Sequence, residues 1–204
     1  MKYGELLAEC DPMQSHWDMN ECLLYLERVY DIETVVEIGC YQGGSFAAWS
    51  RALLPARLIG ITKDEVELTG FPEKLRQADG TMPDVTMVFG LSQEQATYED
   101  VISALDGRKI DFLFIDGGHS WREVQLDFLM YSPLVSEHGV VGIHDVNRGA
   151  MDVYRFWEGY IQMGYRHVVV SDAAISSGLG IGLVLGAGDG LSWADKAATY
   201  DKAS

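Results

Sequence analysis

Val35-Val36-Glu37-Ile38-Gly39-Cys40-Tyr41-Gln42-Gly43-Gly44-Ser45 packs a strand, a glycine-rich turn and the start of a helix into one short stretch. Glycines in such a turn let the backbone come close to a ligand, and the first turn of the following helix offers free N–H groups. In open α/β sheets ligands bind beyond the carboxyl ends of the strands, where the strand order reverses. The spacing is Glu-x-Gly-x-x-x-Gly rather than the Gly-x-Gly-x-x-Gly that cradles a pyrophosphate. Glu37 stands just before the turn, and an acid there suits a cationic or hydroxyl-rich ligand better than a phosphate.

Outward from this turn the chain alternates apolar, strand-like runs with helix-like segments. The runs are 34–38, 57–61, 85–89, 110–115 and 140–143. Ile110–Ile115 reads IDFLFI, apolar almost throughout, as strands covered on both faces do. Ser120 with Glu123 forms a capping-box pattern ahead of Val124, Phe128 and Tyr131 at helical spacing. Ser92-Gln93-Glu94-Gln95 is a second such pattern, with Gly107 as the stop. Gly43-Gly44-Ser45 opens a helix over 46–54, and 18–30 carries Leu23, Leu26 and Tyr30 on one helical face. Residues 66–84 hold Gly70, Pro72, Gly80 and Pro83 and read as irregular with one short helix. The alternation predicts an α/β sandwich with a parallel sheet. Two last runs, 165–170 and 181–185, are joined by a short link rich in Ser, Asp and Gly that lacks a helical pattern. They are expected to be antiparallel neighbours.

Composition narrows the function. The 204 residues include 31 acidic and 15 basic ones, a formal net charge of −16, without a run of Lys or Arg. Nucleic acid is therefore not an expected partner, because duplex binding needs cations against phosphate. No apolar run approaches a membrane span, and the acidic N-terminal residues do not read as a secretory signal. Cys10, Cys22 and Cys40 contain no Cys-x-x-Cys, which fits a reducing compartment and a cytoplasmic setting. A homo-oligomer is compatible with the sequence and not specified by it.

The Glu37–Gly43 turn resembles the first motif of class I S-adenosylmethionine-dependent methyltransferases, whose cofactor carries a sulfonium and an ammonium and no phosphate. Phe114-Ile115-Asp116-Gly117-Gly118-His119-Ser120, then Asp127, Gly139 and Ile143-His144-Asp145, resemble the cephalosporin hydroxylase-like and macrocin- or rhamnosyl-O-methyltransferase-like subgroup. The resemblance runs from Val35 to Asp145. It implies a Rossmann-like three-layer sandwich with a seven-stranded, mostly parallel sheet whose last strand is antiparallel, with a methyltransferase domain over 1–186 and a polar C-terminal tail over 187–204.

The resemblance places Glu37, Gly39, Cys40, Tyr41 and Gly43 at the cofactor turn. The ribose acid usual after the second strand is replaced here by Thr62, followed by Lys63 and Asp64, so Thr62 and Asp64 share that candidacy. Leu91 and Ser92 fall near the adenine, and Asp116 near the reacting end. His119 and His144 are candidate general bases, with Asp145 beside them, because imidazole titrates near neutral pH. Asp116, His144 and Asp145 are also candidate ligands for a divalent metal such as Mg²⁺. His144 stands where a carboxylate is common in metal-dependent relatives, although Mg²⁺ prefers oxygen. The expected reaction is O-methylation of a small molecule or sugar. A non-catalytic cofactor-binding module and a metal-dependent enzyme using the His–Asp cluster are the alternatives. Trp17, Trp121 and Trp157 are candidate pocket walls whose commoner role is core packing.

Overall fold

The computed structural model describes residues 1–29, 31–63, 75, 80–147, 152–170, 179–186 and 193. Seven strands form one sheet: β1 (Thr34–Ile38), β2 (Arg57–Thr62), β3 (Asp84–Phe89), β4 (Ile110–Ile115), β5 (Val135–His144), β6 (His167–Val169) and β7 (Ile181–Leu185). Their order is β3-β2-β1-β4-β5-β7-β6. Neighbours from β3 through β5 pair in parallel, and β7 runs antiparallel to both β5 and β6. The expected sheet, with its antiparallel last strand, is the one observed.

Helices cover both faces. On one lie α1 (Gly4–Cys10), α2 (His16–Val29) and α3 (Gly44–Leu53). Leu7, Met19, Leu23 and Phe46 of these helices pack with Val35, Phe112 and Phe114 of the sheet. On the other lie α4 (Gln95–Leu105), α5 (Trp121–Tyr131) and α6, which starts at Asp152–Phe156, widens to a π-turn over Trp157–Ile161 and closes at Gln162–Gly164. Val101, Phe128, Phe156 and Trp157 there meet Val36, Leu113 and Val141. Successive residues of β1 and β4 thus feed opposite layers, as the two-residue period of a strand requires. Trp49 of α3 meets Phe112 and Phe114 edge-on, each at 5.1 Å between ring centroids. Burying each such ring contributes about 1.5–3 kcal/mol.

Several local expectations change. Helix α4 starts at Gln95 with Glu94 as its N-cap, and no side chain caps it. Ser92 does not cap because its hydroxyl is engaged by the Gln93 amide at 2.9 Å and its carbonyl by the Tyr131 hydroxyl at 2.8 Å. The box at Ser120 does form: the Glu123 N–H donates to Ser120 Oγ, and the Ser120 N–H donates to Glu123 Oε2. Strand β5 begins five residues before the expected run. Its first part, Ser-Glu-His, is polar and pairs with β4 only through Val135, with a register shift before Val140. Helices α1 and α6 carry no motif and were not anticipated. The short helix expected within 66–84 falls largely outside the described residues. So does the tail 187–204, apart from Trp193, which is buried and donates its indole N–H to the Ser136 carbonyl at 3.1 Å.

Candidate active site at the switch point

The strand order reverses between β1 and β4, so their carboxyl ends open a crevice between them. Gly39 leaves β1 at φ +92°, and a Cβ there would sit 2.1 Å from the Asp116 carbonyl oxygen of β4. Only glycine allows the two strand ends to come this close. A Cβ on Gly44 would meet the Asp11 carbonyl oxygen at 2.4 Å, so the chain after α1 seats directly on the start of α3. The resulting cavity has a volume of about 630 Å³, within the usual range for small-molecule sites.

At one end four titratable side chains converge. Asp116 directly follows β4, His144 ends β5, Asp145 follows it, and His119 lies in the turn before α5. His119 Nδ1 lies 2.6 Å from Asp145 Oδ2. His144 Nδ1 lies 3.0 Å from Asp116 Oδ1 and 3.1 Å from Asp145 Oδ1. One ligand atom from each of Asp116, His144 and Asp145 lies within 4.8 Å of the others. Asp145 takes a left-handed backbone at φ 64°, a conformation sparsely used outside glycine and often found at working sites.

The imidazoles are held towards their charged forms. The Asp145 hydrogen bond raises the His119 pKa against partial burial. Burial works to lower that of His144, yet Asp116, Asp145 and Asp18 together carry it up to about 9. The Asp18 carboxylate is fully buried on α2, and both its oxygens and His144 Nε2 lack a hydrogen-bond partner among the described residues.

The other end is quieter. Gly39, Cys40, Tyr41, Thr62, Leu91 and Ser92 all line the cavity, with Ile38 and Ile61 supplying apolar wall. Asp64 lies outside the described residues, which leaves Thr62 as the described ribose candidate. Two expected residues do not reach the cavity surface. Gly43 is the N-cap of α3 at φ 76°. Glu37 points into the layer beneath the turn, fully buried, with the Ser45 hydroxyl donating to its carboxylate. Burial pushes its carboxyl up to about 8, and the nearby Asp116 charge adds to this. Glu37 therefore supports the turn from below through its hydrogen bond with Ser45 and does not line the cavity. The physical reason is strand alternation: Glu37 shares the face of Val35, where α3 packs.

The structure also adds residues. Asp11, Met13 and Gln14, from the loop after α1, form a wall, and Gln14 Nε2 donates to Asp116 Oδ2. Gln93 lines the cavity beside Ser92. Gln14 carries no sequence signal, being one amide in an unpatterned turn, whereas Gln93 directly follows a candidate and was within reach. None of Trp17, Trp121 and Trp157 lines the cavity. Trp121 packs edge-on against Phe156, and Trp157 is core.

A glycine turn after β1, acids ending β4 and β5, and this strand order define a class I methyltransferase. The chain belongs to the methyltransferase domain family, whose sequence profile matches residues 36–146, and that membership marks it as an enzyme. Among curated proteins it is similar to the uncharacterised protein R132 of Acanthamoeba polyphaga mimivirus, with 30% identity over 116 residues. That match spans 55% of this chain and about half, 51%, of the viral protein. Among solved structures it is similar to the O-methyltransferase TomG of Streptomyces achromogenes, involved in tomaymycin synthesis and solved with SAM. There the TM-score is 0.60 at 20% identity, covering 92% of this chain and 88% of that one. An O-methyltransferase of Bacillus cereus in complex with SAH gives 0.60 at 17%, covering 89% and 90%. MycE of the mycinamycin biosynthetic pathway, with Mg, SAH and mycinamycin VI, gives 0.63 at 14%, covering 94% and 56%. At these identities the likeness is one of fold.

Proposed function

We propose that this enzyme methylates a hydroxyl group of a small molecule or sugar with S-adenosylmethionine as donor, assisted by a divalent cation. The observation that carries the reading is the meeting of the glycine turn with Asp116, His119, His144 and Asp145 across a single cavity. S-adenosylmethionine supplies the electrophilic methyl group. The turn presents backbone and apolar wall to an adenosyl group, with Thr62 offering one hydroxyl to the ribose.

The residues at the reacting end fit a cation. Asp116 and Asp145 would hold it through their carboxylates, and His144 would join them on giving up its proton, one ligand atom from each lying within 4.8 Å of the others. Such an ion would add positive charge that acidifies a hydroxyl placed beside it. His119 is the general base in this scheme. Its Nδ1 side is held by Asp145, which fixes the ring, and its half-exposed face is open to an acceptor. Gln14 steadies Asp116 from the N-terminal wall.

The wider assignment is consistent with this. The domain is taken as 1–186 with a tail over 187–204, working in the cytoplasm, with no nucleic-acid or membrane partner and with self-association left open. No helix among the described residues is long and apolar enough to cross a membrane. The test is transfer of labelled methyl from S-adenosylmethionine to a panel of phenolic, catechol and sugar hydroxyls, before and after chelation. Transfer that is lost on chelation and restored by Mg²⁺ or Mn²⁺ is expected. Undiminished transfer after rigorous chelation removes the cation from the scheme, and absence of transfer to every acceptor counts against the reaction.

A further inference from the structure

Asp18 takes no part in the scheme above, yet it is a fully buried carboxylate in the first turn of α2. Acids at that place usually cap the helix or answer its dipole. Asp18 makes no such cap, because neither of its oxygens accepts a hydrogen bond among the described residues. A buried carboxylate left bare in this way is costly, and a partner of opposite charge is what offsets it.

The layering of the fold brings Asp18 and His144 together. By strand alternation His144 shares the sheet face of Val140, the face on which α2 lies. Its neighbour across the sheet is Ile181 of β7, which packs in one cluster with Met19, Cys22 and Leu23 of α2. Asp18 directly precedes Met19 and stands one turn before Cys22. Its charge acts on the His144 ring together with those of Asp116 and Asp145.

The two ring nitrogens of His144 keep different company. Nδ1 lies 3.0 Å from Asp116 Oδ1 and 3.1 Å from Asp145 Oδ1. An imidazole points its nitrogens in divergent directions, and Nε2 is buried without a hydrogen-bond partner among the described residues. Of the three carboxylates acting on the ring, Asp18 is the one not engaged at Nδ1.

We propose that Asp18 is a positioning residue that holds the Nε2 proton of His144 from behind, so that Nδ1 is the nitrogen offered to a divalent cation beside Asp116 and Asp145. The inference rests on the cation proposed above. A carboxylate behind a ligating imidazole fixes its tautomer and ring orientation and makes the ligating nitrogen more basic.

Co²⁺ and Mg²⁺ are the probes, because an imidazole nitrogen favours a transition metal over the oxygen-seeking Mg²⁺. Co²⁺ shifts the protons of a ligating imidazole out of the main proton NMR spectrum. A ring bound through Nδ1 should show two sharp shifted lines that are absent from His144→Gln. One is the Nε2 proton, lost in deuterated water, and the other is the carbon-bound proton next to it. A ring bound through Nε2 shows a single sharp line, its Nδ1 proton. Asp18→Leu replaces the bare acid with apolar atoms of similar bulk. It should lower Co²⁺ affinity by about 10–100-fold, the usual cost of removing such a partner, and Mg²⁺ affinity by about threefold or less. Losses that match for the two cations within about threefold overturn the proposal, since a missing charge or a loosened fold acts on both alike. So does a wild-type spectrum in which Co²⁺ binds through Nε2 or leaves His144 untouched, a result that needs no variant to fold. A wild-type protein that binds neither cation instead removes the cation from the proposed reaction, and this inference with it.

Discussion

Glu37 and Asp145 are both buried carboxylates at the edge of one crevice, and their surroundings make them opposites. Glu37 lies under the turn after β1 with a serine hydroxyl as its partner, and burial pushes its carboxyl up to about 8. Asp145 lies after β5 between two imidazoles, with a left-handed backbone that aims it at the cavity. A buried acid without a cationic partner gives up its charge, and Glu37 has none, whereas Asp145 lies within 3.1 Å of both imidazoles. The lesson is that the partner of an acid, more than its place at a strand end, separates support from chemistry. By the same criterion Asp127, fully buried with the Gln93 amide as its partner, belongs with Glu37.

The largest expected break in this comparison is Asp145→Asn. Turnover should fall by roughly 10²–10⁴-fold, the span of a positioned acid–base contribution, with the thermal midpoint little changed. A loss below about tenfold in steady-state kcat would place Asp145 with the supporting acids.

Next is the pH profile. The Asp145 hydrogen bond raises the His119 pKa above its ordinary 6.5, and a general base works only when neutral. Activity should therefore climb with pH along a limb centred above 6.5, and His119→Gln should abolish that limb together with about 10²-fold of the rate. A limb centred at or below 6.5 in kcat/KM would sever the His119–Asp145 link.

The last effect is on stability. Glu37 titrates at about 8 in the folded protein against 4.5 when free, so the folded state binds more protons between these values. Its contribution is a penalty that grows as pH rises through that window and levels off above about 8. Glu37→Gln removes the penalty and should gain roughly 3–5 kcal/mol over wild type at high pH, with little difference below about pH 4.5. Urea titrations at both ends of the window would show it, and a pH-independent difference would return Glu37 to the charged acids.

Much of this architecture was legible in the sequence. The five apolar runs and the helix-poor link before β7 gave the sheet and its antiparallel strand, because continuous apolarity and short connections constrain backbone directly. Asp116, His119, His144 and Asp145 were legible as a set because strand ends converge by topology. Whether Glu37 meets the ligand or supports the turn was open in the sequence, because a carboxylate beside a turn can face either layer and only strand register decides which. Gln14 was invisible because its role depends on how the loop after α1 seats on Gly44, a long-range fit with no local pattern. Ser92 reads as a cap in the sequence because Tyr131, whose hydroxyl takes the Ser92 carbonyl, lies 39 residues away.

The central claim is that the crevice divides into a binding end and a reacting end. It is tested most directly by titrating S-adenosylhomocysteine into the wild-type protein and into Asp145→Asn. The account predicts one-to-one binding to both, with affinities within about threefold, although only the wild type turns over. No binding to wild type, or binding lost along with Asp145, would contradict it.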